Sequence, residues 1–259
     1  MSARPRRASH EHGESYWIES RRPLPILLFL LPLIFAYECG MAFILRSDDH
    51  LVTNRAHKSL LEFFEVVGIA PTGGLFLGGL AIIAVLFIWH LLNRDPWRVR
   101  FGNVGLMYIE AMVLTLPLLI LSRLISQELA AVPSTGPPSL EGLGMWSQMT
   151  ISVGAGLYEE LLFRMLAIAV LHTLLVDIAG LSTVYGALIA ILLSAALFTW
   201  YHPLDGDDGS LSARRLVFFF VAGVYFGVVF VARGFGIVVA VHALYDVVTV
   251  IMLSSRAEG

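Results

Sequence analysis

Apolar residues run along this chain in blocks of about twenty, each closed by a short polar or basic stretch, the length an α-helix needs to cross the hydrocarbon layer of a bilayer. The blocks fall at about Leu24 to Leu45, Gly73 to Leu92, Asn103 to Ile125, Met149 to Leu175, Leu181 to Tyr201, Arg214 to Ala232 and Phe235 to Leu253. Between the first two, Arg46 to Pro71 is mixed and charged, and Leu60, Leu61, Phe63, Phe64, Val66 and Val67 predict a short amphipathic helix lying in the interface. Pro133 to Gly144, rich in Pro, Gly and Ser, reads as a loop. The pattern predicts an all-α fold, a polytopic transmembrane helical bundle of about seven to eight spans. A seven-span count puts Arg214 and Arg215 outside, which calls for either a re-entrant segment or an eighth span.

Composition strengthens this picture. At 57% apolar and 14% charged residues, with a mean hydropathy of +0.78, the chain exceeds what a soluble globular surface allows. A net charge of -3 argues against a nucleic-acid partner. The N-terminal stretch Met1 to Arg22 carries five arginines, and the loop Asn93 to Arg100 is also basic, so both are expected on the cytoplasmic side of an integral, multi-pass protein of the bacterial inner membrane. The first apolar block outruns a signal-peptide core and reads as a retained span. The division expected is a polar cytoplasmic N-terminus at 1–23, N-terminal spans with the amphipathic connector at 24–145, a catalytic helical core at 146–253, and a polar tail at 254–259.

Charges inside the blocks bring in chemistry. Glu159, Glu160 and Arg164 interrupt the fourth block near its middle, where each ion costs roughly 2.5 to 3.5 kcal/mol to insert. Glu160 and Arg164 are four apart on one helix face, and pairing lowers the cost of both. Glu159 lies about 100° round the helix, so the two carboxylates cannot serve one task from one direction. Phe198 and His202 share a face at the end of the fifth block, and His242 and Asp246 share one in the seventh.

Singly, each has a plain reading: His202 as an interfacial helix end, His242 with Asp246 as a satisfied polar pair, Phe198 as packing. Glu110 in the third block reads as packing before function, Cys39 as a small packing residue, and Asp205 to Gly209 as a solvated turn without calcium-ligand spacing. Together the residues suit a water-using protease. A carboxylate beside an imidazole can take a proton from water, and a second imidazole can donate to the oxyanion formed at an amide carbonyl. A metal site with His and carboxylate ligands fits the same residue types.

Glu-Glu-x-x-x-Arg at Glu159 to Arg164, Phe-x-x-x-His at Phe198 to His202 and His-x-x-x-Asp at His242 to Asp246 resemble the three ordered motifs of the CPBP (CAAX protease and bacteriocin-processing, or Abi) intramembrane endopeptidase family. A eukaryotic relative is the type II CAAX prenyl endopeptidase. The resemblance covers roughly Trp146 to Leu253. It implies that Glu159 with His202 activates water, that Glu160 and Arg164 brace the site with Phe198 in support, and that His242 and Asp246 contribute to an oxyanion hole.

Asp246 departs from the family's usual Asn. An ionised Asp repels an oxyanion, so it must be protonated, orient His242, or bind metal. The family has been described both as metal-dependent and as metal-free. A divalent ion such as zinc, held by Glu159, His202, His242 and Asp246, therefore stays an alternative to a site with no cofactor. No HExxH motif is present, so its ligands would come from separate helices.

The partners expected are the bilayer and a membrane-associated protein or peptide substrate, with processing or sorting of a C-terminal signal among the reactions that fit. Other classes remain open: a transporter or proton relay using the buried Glu and His, or an immunity protein that binds without turnover. The absence of an evident internal repeat weighs against the transporter, and no Gly-x-Ser-x-Gly setting supports a serine nucleophile.

Overall fold

The computed structural model describes residues 16–45, 53–66, 68, 77–125, 143–206 and 209–257. Its helices are α1 (Pro23–Phe43), α2 (Arg55–Val66), α3 (Leu77–Asn93), α4 (Phe101–Ile125), α5 (Met145–Ile178), α6 (Thr183–Tyr201), α7 (Ala213–Arg233) and α8 (Phe235–Ala257). Among the described residues, the only β feature is an isolated bridge between Asp205 and Leu211 that closes the turn before α7. The polytopic helical bundle expected from the apolar blocks is what forms. Of the expected loop Pro133 to Gly144, only Leu143 and Gly144 are described.

Six helices, α1 and α4 to α8, are long and apolar enough to cross a membrane. The predicted second span, α3, is apolar but has 17 described residues, about 25 Å of rise against a hydrocarbon layer of about 30 Å. Pro23 and Pro25 occupy the first turn of α1, where a missing N–H leaves no helical bond unmade. The expected interfacial helix is α2, whose polar Arg55, Lys58, Glu62 and Glu65 are exposed while Ala56 and His57 are buried.

α8 is the centre of the bundle, packed between α5 and α4, with α7 and α1 against it. Its stretch from Phe235 to Ala243 is buried almost throughout. Close approach to α5 rests on Gly156: a Cβ there would stand 2.7 Å from the backbone N of Ala243, next to His242. A larger residue would force apart the two helices that carry Glu159, Glu160 and His242.

The turn between α7 and α8 is anchored by Arg233. Its guanidinium pairs with Glu110 of α4, with Nη2 2.7 Å from Oε2, and donates to Ser20 Oγ at 3.1 Å. It also lies 3.7 Å over the Trp17 ring, while Tyr16 donates to the same carboxylate at 2.5 Å. Glu110 is thus a packing residue. Arg22 and Asp95, at 3.7 Å, join the start of α1 to the basic loop after α3.

Gly156→Val is expected to lower stability by about 1–3 kcal/mol, the usual cost of overpacking. Its thermal melting midpoint in detergent, set against wild type, checks this.

Candidate active site

α5 brings both glutamates to the middle of the bundle and changes its winding directly after them. Leu161–Leu166 is π-helical and contains Arg164, so the i,i+4 pair spans the junction of α-helical and π-helical winding. The ion pair forms nonetheless, with Arg164 Nη1 3.1 Å from Glu160 Oε1 and both side chains fully buried. π-turns of this kind recur at functional sites because they re-aim side chains out of the regular ladder.

Arg164 is held on several sides. Its guanidinium lies 4.3 Å over the ring of Phe198 and 5.1 Å over that of Phe226, and Nη2 donates to the Gly223 carbonyl at 3.3 Å. Each cation–π contact is worth about 2 kcal/mol when desolvated, which offsets part of the burial cost. On the other side, His242 Nδ1 donates to Glu160 Oε1 at 2.7 Å. Glu160 is therefore shared between Arg164 of its own helix and His242 of α8.

Glu159 is placed differently. It is 6% exposed, and its Oε2 has no hydrogen-bond partner among the described residues. That oxygen faces two imidazoles, His202 Nε2 at 3.5 Å and His242 Nε2 at 3.9 Å. Both distances are longer than a well-formed direct hydrogen bond.

The ring of His202 is oriented by its other nitrogen, which donates to the Phe198 carbonyl at 2.7 Å and leaves Nε2 bare toward Glu159. Phe219 stacks on this ring at 4.3 Å and Phe226 on that of His242 at 4.6 Å. His202 follows the last residue of α6, where the backbone turns extended. Asp246 Oδ2 lies 3.4 Å from His242 Nε2.

Glu159, His202, His242 and Asp246 thus meet from α5, the end of α6 and α8, beside Glu160, Arg164 and Phe198. No group of three or more His, Cys, Asp or Glu side chains among the described residues is arranged to hold a metal ion.

Sequence reasoning missed the layer beneath Glu159. His57 of α2 stacks on Tyr158 at 4.4 Å with the rings 6° from parallel, and its Nδ1 lies 2.7 Å from Tyr37 Oη and 2.9 Å from Thr53 Oγ1. The Tyr158 hydroxyl donates to Glu38 Oε1 at 3.4 Å. Arg55, also of α2, donates to the Tyr201 carbonyl at 3.0 Å, tying α2 to the residue before His202. Glu38 is the one member with a sequence signal, a carboxylate inside an apolar block.

Residues 141–248 match the family model described as type II CAAX prenyl endopeptidase Rce1-like. No curated protein and no solved structure matches the chain.

Glu160→Gln is expected to cost about 3–5 kcal/mol, because it leaves Arg164 buried without its counter-charge, whereas Glu159→Gln, which breaks no ion pair with Arg164, should melt at or above the wild-type temperature. Parallel melting curves in detergent test the contrast. A second expectation concerns pH. Burial pushes His57 down from 6.5 to about 4, so the unfolded chain binds its proton first. Stability from this residue is complete above about 6.5 and declines as pH falls toward 4; His57→Gln should flatten that part of the melting-temperature profile.

Proposed function

The chain belongs, through residues 141–248, to the type II CAAX prenyl endopeptidase Rce1-like family, and on that premise we propose that it hydrolyses a peptide bond of a membrane-associated protein or peptide with a water activated by Glu159 and His202. It is a multi-pass membrane protein of an endopeptidase family. The observation that carries the mechanism is the unpartnered Glu159 Oε2 facing two imidazole nitrogens, beside a Glu160 whose Oε1 is shared by Arg164 and His242.

In this reading a water between Glu159 and His202 loses its proton to the carboxylate as it attacks the substrate carbonyl. His202 accepts a hydrogen bond from that water through the Nε2 that its bond to Phe198 leaves bare. With a proton on each nitrogen, His242 donates through Nδ1 to Glu160 and turns its Nε2–H toward the space beside Glu159, where the oxyanion forms. Asp246 Oδ2, 3.4 Å from the same Nε2, orients the ring, and the Nε2–H turns from it to the oxyanion as that charge forms. Glu159 then returns its proton to the departing amine.

The flanking helices α1 to α4, which lie outside the family match, set which substrate reaches the site. Processing or sorting of a C-terminal signal, at a bacterial inner membrane, fits the chemistry.

Glu159→Gln is expected to lower the rate of peptide cleavage by at least about a hundredfold, as loss of a general base does, and His202→Ala by a comparable factor. The assay uses purified protein in detergent with candidate membrane peptides and reads cleavage products by mass spectrometry. Bound metal is measured on the same samples. Cleavage undiminished in Glu159→Gln overturns the mechanism.

A further inference from the structure

His202 stands where α6 stops, and a helix end leaves carbonyls that its own ladder cannot satisfy. His202 takes two of them: its backbone N–H bonds to the Thr199 carbonyl at 3.2 Å and its Nδ1 to the Phe198 carbonyl at 2.7 Å. A third, that of Tyr201, accepts Arg55 Nη1 of α2 at 3.0 Å, and the same guanidinium lies 4.9 Å over the Tyr201 ring. A cation placed here also meets the negative pole of the helix dipole. The end of α6 is thus capped from another helix, at the residue before His202.

α2 is itself fixed in place. Asn54 Oδ1 accepts the His57 backbone N–H at 2.7 Å, closing its first turn. The buried His57 ring stacks on Tyr158 of α5 at 4.4 Å, 6° from parallel. On α3, a Cβ at Gly78 would stand 2.8 Å from His57 Nε2, so that helix closes directly over the ring. Two side chains of α2, two positions apart, therefore hold the residue before Glu159 and the residue before His202. Between these grips lies the 3.5 Å separation of Glu159 Oε2 from His202 Nε2.

We infer that α2, which lies outside residues 141–248 of the family match, is a clamp that sets the spacing of Glu159 and His202, with Arg55 as a positioning residue. The inference rests on the water mechanism proposed above. Arg55 acts through the Tyr201 carbonyl: without it the last turn of α6 opens, His202 leaves its place opposite Glu159, and turnover slows while substrate still binds.

The test labels the purified full chain in detergent with diethyl pyrocarbonate, which modifies unprotonated imidazole nitrogens, and maps each histidine by mass spectrometry. Hydrogen exchange of residues 198–202 is followed on the same samples. Arg55→Ala should raise labelling of His202 and exchange of that last turn roughly tenfold, the opening that loss of one charge-assisted hydrogen bond allows, with His242 labelled as in wild type. Arg55→Lys, which keeps a cationic donor, should restore both readings. Lys58→Ala, on the exposed face of α2, should match wild type. With the candidate membrane peptides, Arg55→Ala should lower kcat roughly tenfold and leave KM unchanged.

Wild-type labelling and exchange in Arg55→Ala overturn the clamp. So does a rise shared equally by His242, an Arg55→Lys chain that labels like Arg55→Ala, or a change confined to KM. Arg55 is exposed, so its replacement leaves the core intact, and labelling needs no substrate. Undiminished cleavage by Glu159→Gln sinks the water mechanism while the labelling contrast still shows the clamp. Wild-type labelling in Arg55→Ala beside an inactive Glu159→Gln sinks the clamp alone.

Discussion

A guanidinium in the middle of a membrane bundle must be neutralised where it stands, and the surroundings of Arg164 follow from that need. It is fully buried, paired to Glu160, bonded to the Gly223 carbonyl and covered by Phe198 and Phe226. The same Glu160 takes the Nδ1 proton of His242, so one carboxylate ties α5 to α8. Removing Glu160 would leave the Arg164 charge buried without its counter-charge.

This arrangement separates two chemically identical neighbours. Glu160 holds Arg164 and His242 through its Oε1, and Glu159 turns an unpartnered Oε2 toward two imidazoles. The difference arises from position round the helix, reinforced by the π-turn that starts directly after Glu160. In the proposed mechanism stability and chemistry therefore fall to adjacent residues, and a change in one need not abolish the other.

The layer beneath Glu159 extends the same logic outward. Tyr158 sits between His57 and Glu38, linking the amphipathic α2 and α1 to the helix that carries the glutamates. α2 also reaches Tyr201 through Arg55, so the spans outside the family match touch the site on two sides. Substrate selectivity would arise there, in the portion of the chain that the family motifs do not describe.

How much of this was legible beforehand divides along a physical line. Periodicity, block length and i,i+4 spacing are properties of a single helix, so the amino-acid order alone determined the spans, the amphipathic α2, the pairing of Glu160 with Arg164 and the shared faces of Phe198 with His202 and of His242 with Asp246. The family resemblance added which of these belong to one ordered set. Contacts between helices depend on their mutual depth and rotation, which packing at positions such as Gly156 against Ala243 decides. Only the tertiary structure could therefore show that His242 bonds to Glu160 and faces Glu159 from its other side, that a π-turn holds Arg164, and that Tyr158, His57 and Glu38 form a layer. No local pattern encodes those relations, because the partners are brought together by burial and not by spacing along the chain.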